Sequence, residues 1–501
     1  MSLLLSAALA LAAPADEVSA CLEVYDLACA RKAAEALGTT PDDAAARAEL
    51  AFNLGEFAEA RDLLAPVVKG DEARGRALAL YEQVLSANRG FRAEMRGDVT
   101  VRYRPGMDEV LVDEALETLQ ASHDRIGPLL GGAPPGGVRM ELYPTAQRFI
   151  DASSLPAESV RTTGVVALSK WTRLLVSSPR ALGRGYGWKD TIAHEYIHYI
   201  VAWRTKNLAP VWLQEGIARS HESLWRQDEP AALTPSQQSL LADALAKDAL
   251  VPLTKMHPSM AFLDSADEAA LAFAQVSTMI VHLRNVGGPQ AVSRVLERVR
   301  AGEDALQAVA AEGAAGDSAA FMAAWRKYLE GLDLVSKKLA EAKVILDGAG
   351  DDYDVDPLLG HRADLARFAR LGDILLDAGR PEAALVEFRK AAPANEPASP
   401  ILAVRTAVAL QALGRTPEAK ALLERAVADY PEHAPSRVAL GDLYLASGAT
   451  AAAFTQFRAG VDVDPFDHHA QTTLADLYAA RGDAALAERH RRYTRILQSD
   501  R

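Results

Sequence analysis

The chain has 501 residues, too many to fold around one hydrophobic core, so its length predicts about two to four domains. Its apolar content of 49% and charged content of 24% are typical of a soluble globular protein. The formal net charge of −13, with no basic tract to offset it, argues against binding to nucleic acid or to an anionic membrane surface. No apolar run reaches the length of about 18 residues that a membrane span needs, so none is predicted.

Residues 2–13 form an apolar run of Leu and Ala. The run ends in Ala10-Leu11-Ala12, a small-residue pattern typical of a secretory cleavage site, so residues 1–12 are predicted to be a signal peptide. The basic residues that usually begin such a signal are missing, and an alanine-rich first helix is the alternative. A signal peptide would place the protein in the periplasm or outside the cell of a bacterium.

The chain contains two cysteines, Cys21 and Cys29. On one continuous helix they would be separated by about 12 Å of rise, which is beyond the reach of a disulfide. A turn near Asp26 would instead bring them together across a helical hairpin, and export would permit the bond. The sequence leaves both arrangements open.

Residues 13–95 are predicted to form a helical region rich in Ala and Leu. Within it, residues 48–64 show helical periodicity broken by one glycine, Gly55. This segment resembles a single tetratricopeptide (TPR) hairpin. A helical domain without repeat character is the alternative.

From Asp98 onwards, apolar and polar residues alternate in short segments, as they do in half-buried strands. The last two of these segments form a predicted hairpin directly before the most informative motif of the chain. We therefore predict a small sheet in this part of the chain. The predicted strands cover residues 99–104, 138–143, 165–169 and 173–177, and an amphipathic helix over residues 107–130 separates the first two.

His194, Glu195 and His198 form an H-E-x-x-H motif in a segment with helical periodicity. Histidines four residues apart lie on one face of a helix, one turn apart, where they can bind a single cation. Neutral imidazole suits Zn²⁺, and Glu195 is predicted to act as general base toward a metal-activated water. A packed core helix with two hydrogen-bonded histidines is the alternative.

A third protein ligand is expected on the next helix, predicted over residues 211–225 after Pro210. Glu215 is the candidate, and Gly216 beside it would let another backbone approach closely. Glu222, two turns further along the same face, is the competing candidate. Alternatively, Glu222 or Asp190 could orient a metal-binding histidine by accepting a hydrogen bond from its other ring nitrogen.

The H-E-x-x-H motif followed by P-x-W-L-x-E-G-x-A resembles the gluzincin (peptidase MA-like) zinc metallopeptidases. The resemblance implies one Zn²⁺ per chain, held by His194, His198 and the E-G-x-A glutamate, Glu215. It also implies an α+β, thermolysin-like metallopeptidase core over residues 96–334, made of a small mixed sheet and helices. In that family the last strands form the edge that holds a peptide substrate by backbone pairing.

Many members of that family carry a tyrosine at the position of Phe273. If that tyrosine assists the oxyanion, this chain needs another donor. Tyr186, Arg219 and His221 are the substitutes suggested by proximity in sequence.

An internal repeat follows a predicted linker over residues 335–364. Glycines recur at intervals of 35, 34 and 34 residues, and an alanine follows each of them by five positions. We expect these small residues to let paired helices pack closely. The pattern resembles TPR repeats and predicts four of them over residues 365–498, forming an all-α solenoid whose last copy is capped by the polar Arg491. The repeated positions are Gly379, Gly414, Gly448 and Gly482, and Ala384, Ala419, Ala453 and Ala487.

Together these features predict an exported zinc metallopeptidase that hydrolyses peptide bonds. Its expected partners are a peptide or protein substrate and a protein bound in the concave TPR groove. A TPR scaffold with a catalytically silent peptidase-like domain is the alternative from a different functional class. A zinc hydrolase of non-peptide amides is a third possibility, because a fold does not determine a substrate.

Overall fold

The computed structural model describes residues 13–158, 160, 164–183, 185–257, 260, 263–339 and 353–499. The predicted signal peptide, residues 1–12, lies outside these residues, as does much of the predicted linker. The described part combines one small sheet with many helices, so the predicted α+β class is confirmed. None of the described helices combines the length and apolar content needed to cross a membrane.

The N-terminal region is helical, and its first two helices form a hairpin closed by a disulfide between Cys21 and Cys29, whose Cα atoms are 5.6 Å apart. The side chain of Asp26 caps the second helix by accepting a hydrogen bond of 2.9 Å from the N–H of Cys29. Of the two arrangements that the sequence left open, the hairpin is therefore the one found. The helices of this region are α1 (Pro14–Glu23), α2 (Leu27–Ala34), α3 (Pro41–Asn53), α4 (Phe57–Leu64) and α5 (Glu72–Ala87).

The sheet has five strands in the order β1-β2-β3-β5-β4. β2, β3 and β5 run parallel in the centre, while β1 and β4 pair antiparallel at the two edges. Helix α6 (Glu109–Leu129) connects the parallel strands β2 and β3, as a crossover must. The strands are β1 (Arg92–Arg96), β2 (Val99–Tyr103), β3 (Val138–Tyr143), β4 (Ala167–Lys170) and β5 (Arg173–Ser177).

Strand β1 was not predicted from the sequence. All five of its residues are exposed, so no buried face imposes an apolar alternation on them. With β1 included, the sheet begins at Arg92, which is four residues before the predicted domain start at residue 96.

The largest hydrophobic core lies between this sheet, helix α6 and the helices that follow β5. Helices α8 and α9 belong to it and carry the motif residues. The helices after β3 are α7 (Ala146–Ser153), α8 (Trp188–Thr205), α9 (Val211–His221), α10 (Pro235–Ala246), α11 (Ala266–Gly287), α12 (Ala291–Arg300), α13 (Ala305–Glu312) and α14 (Ser318–Glu330).

The C-terminal region consists of helices that pack in consecutive pairs. Residues 353–359 of the predicted linker contribute to the core of the first pairs, among them the buried Tyr353 and Leu358. The helices are α15 (Ala363–Asp377), α16 (Pro381–Ala391), α17 (Pro400–Ala412), α18 (Thr416–Asp429), α19 (Ala434–Ala446), α20 (Thr450–Val461), α21 (His468–Ala480) and α22 (Ala484–Ser499).

The four periodic glycines occupy the turn between the two helices of each pair. Their φ angles lie between +70° and +82°, and a Cβ added at any of them would meet nothing within 4 Å. The prediction that they let helices pack closely is therefore wrong; they are needed for the left-handed turn. Close packing occurs at a different glycine, Gly441, where an added Cβ would lie 2.9 Å from the ring of Phe457.

The last repeat helices pack against the central region. The Arg489 guanidinium bonds to Glu117 of α6 at 2.6 Å, and Tyr493 is buried in the central core. Lys189, in the first turn of α8, pairs with Glu114 of α6 at 2.7 Å and also with Asp462 of the repeats. The helix that carries the H-E-x-x-H motif is thus held from the repeat side.

Arg491, the predicted polar cap, is exposed as expected. The helix that carries it is nevertheless not a free end of the solenoid. Its other face includes Tyr493 and Leu497, both buried in the central core.

Candidate metal centre

The motif residues lie in the middle of α8, where His194 and Glu195 are 7% and 8% exposed. A tight turn follows the helix, in which Lys206 and Asn207 adopt left-handed φ angles of 52° and 59°. Pro210 then precedes α9 with an extended backbone. This short connection brings α9 into contact with α8.

The side chains of His194, His198 and Glu215 converge. The two imidazole Nε2 atoms are 3.1 Å apart, and Glu215 oxygens lie 3.4 Å from Nε2 of His194 and 3.5 Å from Nε2 of His198. Zinc bonds of about 2.0–2.2 Å in tetrahedral geometry separate neighbouring ligand atoms by about 3.3–3.6 Å. The two distances to the Glu215 oxygens lie in or near this range and the distance between the imidazole nitrogens is slightly shorter, so these three side chains could hold one Zn²⁺.

The protonation of the two histidines also fits a cation site. Burial by itself lowers the pKa of His194, but hydrogen bonds with Glu215 and Glu222 prevail and raise that pKa to about 9. Burial lowers the pKa of His198 to about 4, despite the nearby Glu215. Metal binding requires both imidazoles to be neutral, so a bound cation would displace the proton that these carboxylates favour on His194.

Glu215 supplies the negative charge of the set. Burial opposes its ionisation, but the neighbouring His198 and His194 lower the pKa of Glu215 to about 2. Two neutral imidazoles and one carboxylate form a donor set that suits catalytic zinc.

Glu195 lies next to this cluster without being one of its three donors. Burial raises the pKa of Glu195 to about 7, although His194 and the backbone amide of Ser169 act in the opposite direction. A carboxylate with a pKa near neutrality can both accept a proton and release it again. The structure therefore places the predicted general base beside the donor set with a suitable pKa.

Glu222, the competing third ligand, lies on the other side of His194. Its carboxylate accepts a hydrogen bond of 2.8 Å from Nδ1–H of His194, which leaves Nε2 to face the cluster. Asp190 does not share this task, because it accepts hydrogen bonds from Trp225 at 2.8 Å and from Arg226 at 3.0 Å. Of the two predicted orienting residues, only Glu222 contacts a candidate ligand.

Substituting Glu222 by Ala is expected to weaken zinc binding about 10- to 100-fold, because His194 loses the partner that fixes its tautomer and ring orientation. Competition against a chromophoric chelator measures the change in the dissociation constant. The matched variant Asp190→Ala should stay within about twofold of the wild type. Equal affinities for all three proteins would contradict the orienting role of Glu222.

The three suggested oxyanion donors have different surroundings. The hydroxyl of Tyr186 already donates to the carbonyl oxygen of Ser177. His221 is fully buried, with Nδ1 3.0 Å from the carbonyl of Ile217 in its own helix.

Arg219 is the suggested donor that lies at the cluster. Its Nη1 atom is 3.6 Å from a Glu222 oxygen, and its guanidinium is 5.7 Å from the ring centroid of Phe273. A further polar side chain, that of Tyr25, lies close enough to Glu195 for the Glu195 charge to raise its pKa. No sequence signal pointed to it, because its approach depends on how the N-terminal hairpin packs.

Comparisons with known proteins bear on both regions. Residues 120–331 match the Peptidase MA superfamily, and residues 410–477 match the tetratricopeptide repeat. No curated protein sequence matches the chain. Both family matches confirm the resemblances predicted from the sequence.

Several solved structures are similar to parts of the chain. Yeast LTA4 hydrolase in complex with bestatin is similar over 81% of this chain and 67% of that chain, with 10% identity and a TM-score of 0.29. MamA (41-end) from Desulfovibrio magneticus RS-1 covers 28% of this chain and 79% of its own, with 20% identity and a TM-score of 0.24. YrrB, a TPR protein with an unusual peptide-binding site, covers 28% and 82%, with 20% identity and a TM-score of 0.23.

Proposed function

We propose that this chain, which contains a Peptidase MA superfamily domain and tetratricopeptide repeats, is a zinc-dependent metallopeptidase that hydrolyses peptide bonds. The observation that supports this most directly is the convergence of His194, His198 and Glu215, with Glu195 beside them. A bound Zn²⁺ would polarise the scissile carbonyl and lower the pKa of the attacking water.

In this proposal Glu195 accepts a proton from the attacking water and passes it to the leaving amine. A new C–O bond forms as the peptide C–N bond breaks, and the proton ends on the amine nitrogen. The pKa of Glu195, raised to about 7 by burial, suits both transfers near neutral pH. Glu222 keeps the ring of His194 in the orientation that the site needs.

The sheet edge supports a peptide as substrate rather than a small amide. Strand β4 is the last strand in the order of the sheet, and it contacts α8. An extended peptide can add to such an edge by backbone hydrogen bonds. Ser169 of β4 lies near enough to Glu195 for its backbone amide to lower the pKa of that carboxyl, so a peptide on this edge would pass beside the base.

The TPR module is proposed to bind a protein partner or to recruit the substrate. Large apolar side chains are exposed on the first repeat helix, with Ile374 64% and Leu371 42% exposed. Such surfaces are typical of protein interaction sites. The Cys21–Cys29 disulfide supports the further proposal that the protein is exported, because disulfides persist in oxidising compartments.

Metal analysis combined with turnover of an unfolded protein such as casein tests this function. The purified protein is expected to hold about one zinc per chain and to cleave casein. Removing the metal with a chelator should abolish cleavage, and one equivalent of Zn²⁺ should restore it. One zinc per chain without cleavage of any unfolded substrate would favour the TPR scaffold with a silent peptidase domain.

A further inference from the structure

The turn between α1 and α2 holds a bulky residue in an unfavourable backbone conformation. Tyr25 has a φ angle of +60°, in the left-handed region, which a large side chain adopts only when its surroundings impose it. The Cys21–Cys29 disulfide closes this turn. A backbone hydrogen bond of 2.9 Å from Asp26 to Cys21 reinforces it.

The side chain of Tyr25 packs outside its own helical region. The hydrophobic cluster of α1 and α2 does not include it; instead it packs against the central core. Its ring centroid lies 6.1 Å from that of Tyr199 in α8. Tyr199 follows Glu195 by four residues, so the two side chains share one face of the helix.

The charge of Glu195 affects the pKa of the Tyr25 phenol. Burial raises the pKa of Tyr25, and the Glu195 carboxylate raises it further. The ring contact places Tyr25 beside the face of α8 that carries Glu195, and the electrostatic effect agrees with that placement.

The hydroxyl of Tyr25 is available to a ligand. It makes no hydrogen bond to any of the residues that the structure describes, and its side chain is half-buried. The charge of Glu195 also raises the pKa of Tyr186, but the Tyr186 hydroxyl already donates a hydrogen bond to the Ser177 carbonyl oxygen. Because no described side chain or backbone group occupies the Tyr25 hydroxyl, it can donate a hydrogen bond to a molecule bound at this site.

We propose that Tyr25 contacts the substrate peptide, donating a hydrogen bond from its hydroxyl to a peptide carbonyl oxygen beside Glu195, and that the Cys21–Cys29 disulfide holds it there. The inference rests on the proposed peptidase function. It makes the N-terminal helical region a part of the substrate site.

The variant Tyr25→Phe tests the contact, because it keeps the ring on Tyr199 and removes only the hydroxyl. We expect kcat/KM for a peptide substrate to fall about tenfold, mainly through a higher KM because the bond is made to the bound substrate, with zinc stoichiometry and melting temperature unchanged. The matched control is Tyr444→Phe, whose hydroxyl bonds to Glu424 in the repeats at 2.9 Å and should leave the kinetics unchanged.

The double variant Cys21→Ser/Cys29→Ser tests the role of the disulfide. It should lower kcat/KM by a similar factor in the wild-type background. In the Tyr25→Phe background it should add little, because both changes remove the same interaction. If the double cysteine change lowered kcat/KM by the same factor in both backgrounds, the proposal that the disulfide acts through Tyr25 would be wrong.

Inhibitor binding, which does not require turnover, distinguishes the failure of this proposal from the failure of the proposed function. The probe is a phosphinic peptide with blocked termini, and its dissociation constant for the zinc-loaded protein should rise about tenfold in Tyr25→Phe. Wild-type cleavage with equal kinetics and equal affinity in Tyr25→Phe would overturn the role of Tyr25 and leave the function standing. Weaker binding by the variant without wild-type cleavage would support the contact and overturn the function. A wild type that neither cleaves peptides nor binds the probe would overturn both.

Discussion

Replacing Glu195 by Gln is expected to lower peptide hydrolysis about 100- to 10,000-fold while leaving zinc bound. General acid–base catalysis contributes about 10²- to 10⁴-fold to such reactions, and an amide cannot accept the proton of the attacking water. The three candidate zinc ligands are untouched by the change. Initial rates on a fluorogenic peptide, together with zinc content by mass spectrometry, measure the two expectations.

The fold should survive this substitution. The Glu195 side chain is buried with its pKa raised to about 7, so an uncharged amide removes a cost of burial instead of adding one. The matched variant Glu297→Gln, at an exposed partner of Arg204, should retain wild-type rates. If Glu195→Gln kept more than about a tenth of the wild-type rate, the assignment of Glu195 as general base would be wrong.

The second large effect is expected at Gly216, the neighbour of Glu215 on α9. A Cβ added there would lie 2.7 Å from the carbonyl oxygen of Val276 and 2.9 Å from Cγ1 of Ile280, both on α11. Because a backbone atom is in the way, Gly216→Ala must push α9 and α11 apart, at a cost of about 1–3 kcal/mol in the free energy of unfolding. Glu215 moves with the backbone of α9, so zinc affinity should also fall.

Gly75→Ala is the matched control for this substitution. Gly75 also lies within a helix, α5, but an added Cβ there would meet nothing within 4 Å. Alanine should therefore stabilise the protein by about 0.5–1 kcal/mol, because it favours the helix more than glycine does. Chemical denaturation and zinc titration of both variants provide the measurement. Wild-type stability and zinc affinity in Gly216→Ala would rule out the close packing of α9 on α11.

Spacing along the chain was enough to identify the candidate site. Two histidines four residues apart lie on one face of any α-helix, whatever surrounds it, so the pairing of His194 with His198 followed from local geometry. The choice between Glu215 and Glu222 did not, because residues seven apart share a helix face. The crossing of α8 and α9 decides which carboxylate faces Nε2 and which faces Nδ1 of His194.

The glycines of the repeats show a similar limit. A periodic glycine is compatible with a left-handed turn and with close helix packing, and both require the absence of a Cβ. Only the positions of neighbouring atoms separate the turn glycine Gly448 from the packing glycine Gly441.

The sequence by itself determined the α+β class, the H-E-x-x-H helix and the repeat period, because each is carried by residues close together along the chain. Tertiary structure alone decided which carboxylate supports His194 and how Lys189 joins α8 to the repeats through Glu114 and Asp462. It also decided that Tyr25 lies beside the face of α8 that carries Glu195. Local periodicity sets which side chains share a face of one element, whereas contacts between elements far apart in sequence depend on how those elements pack.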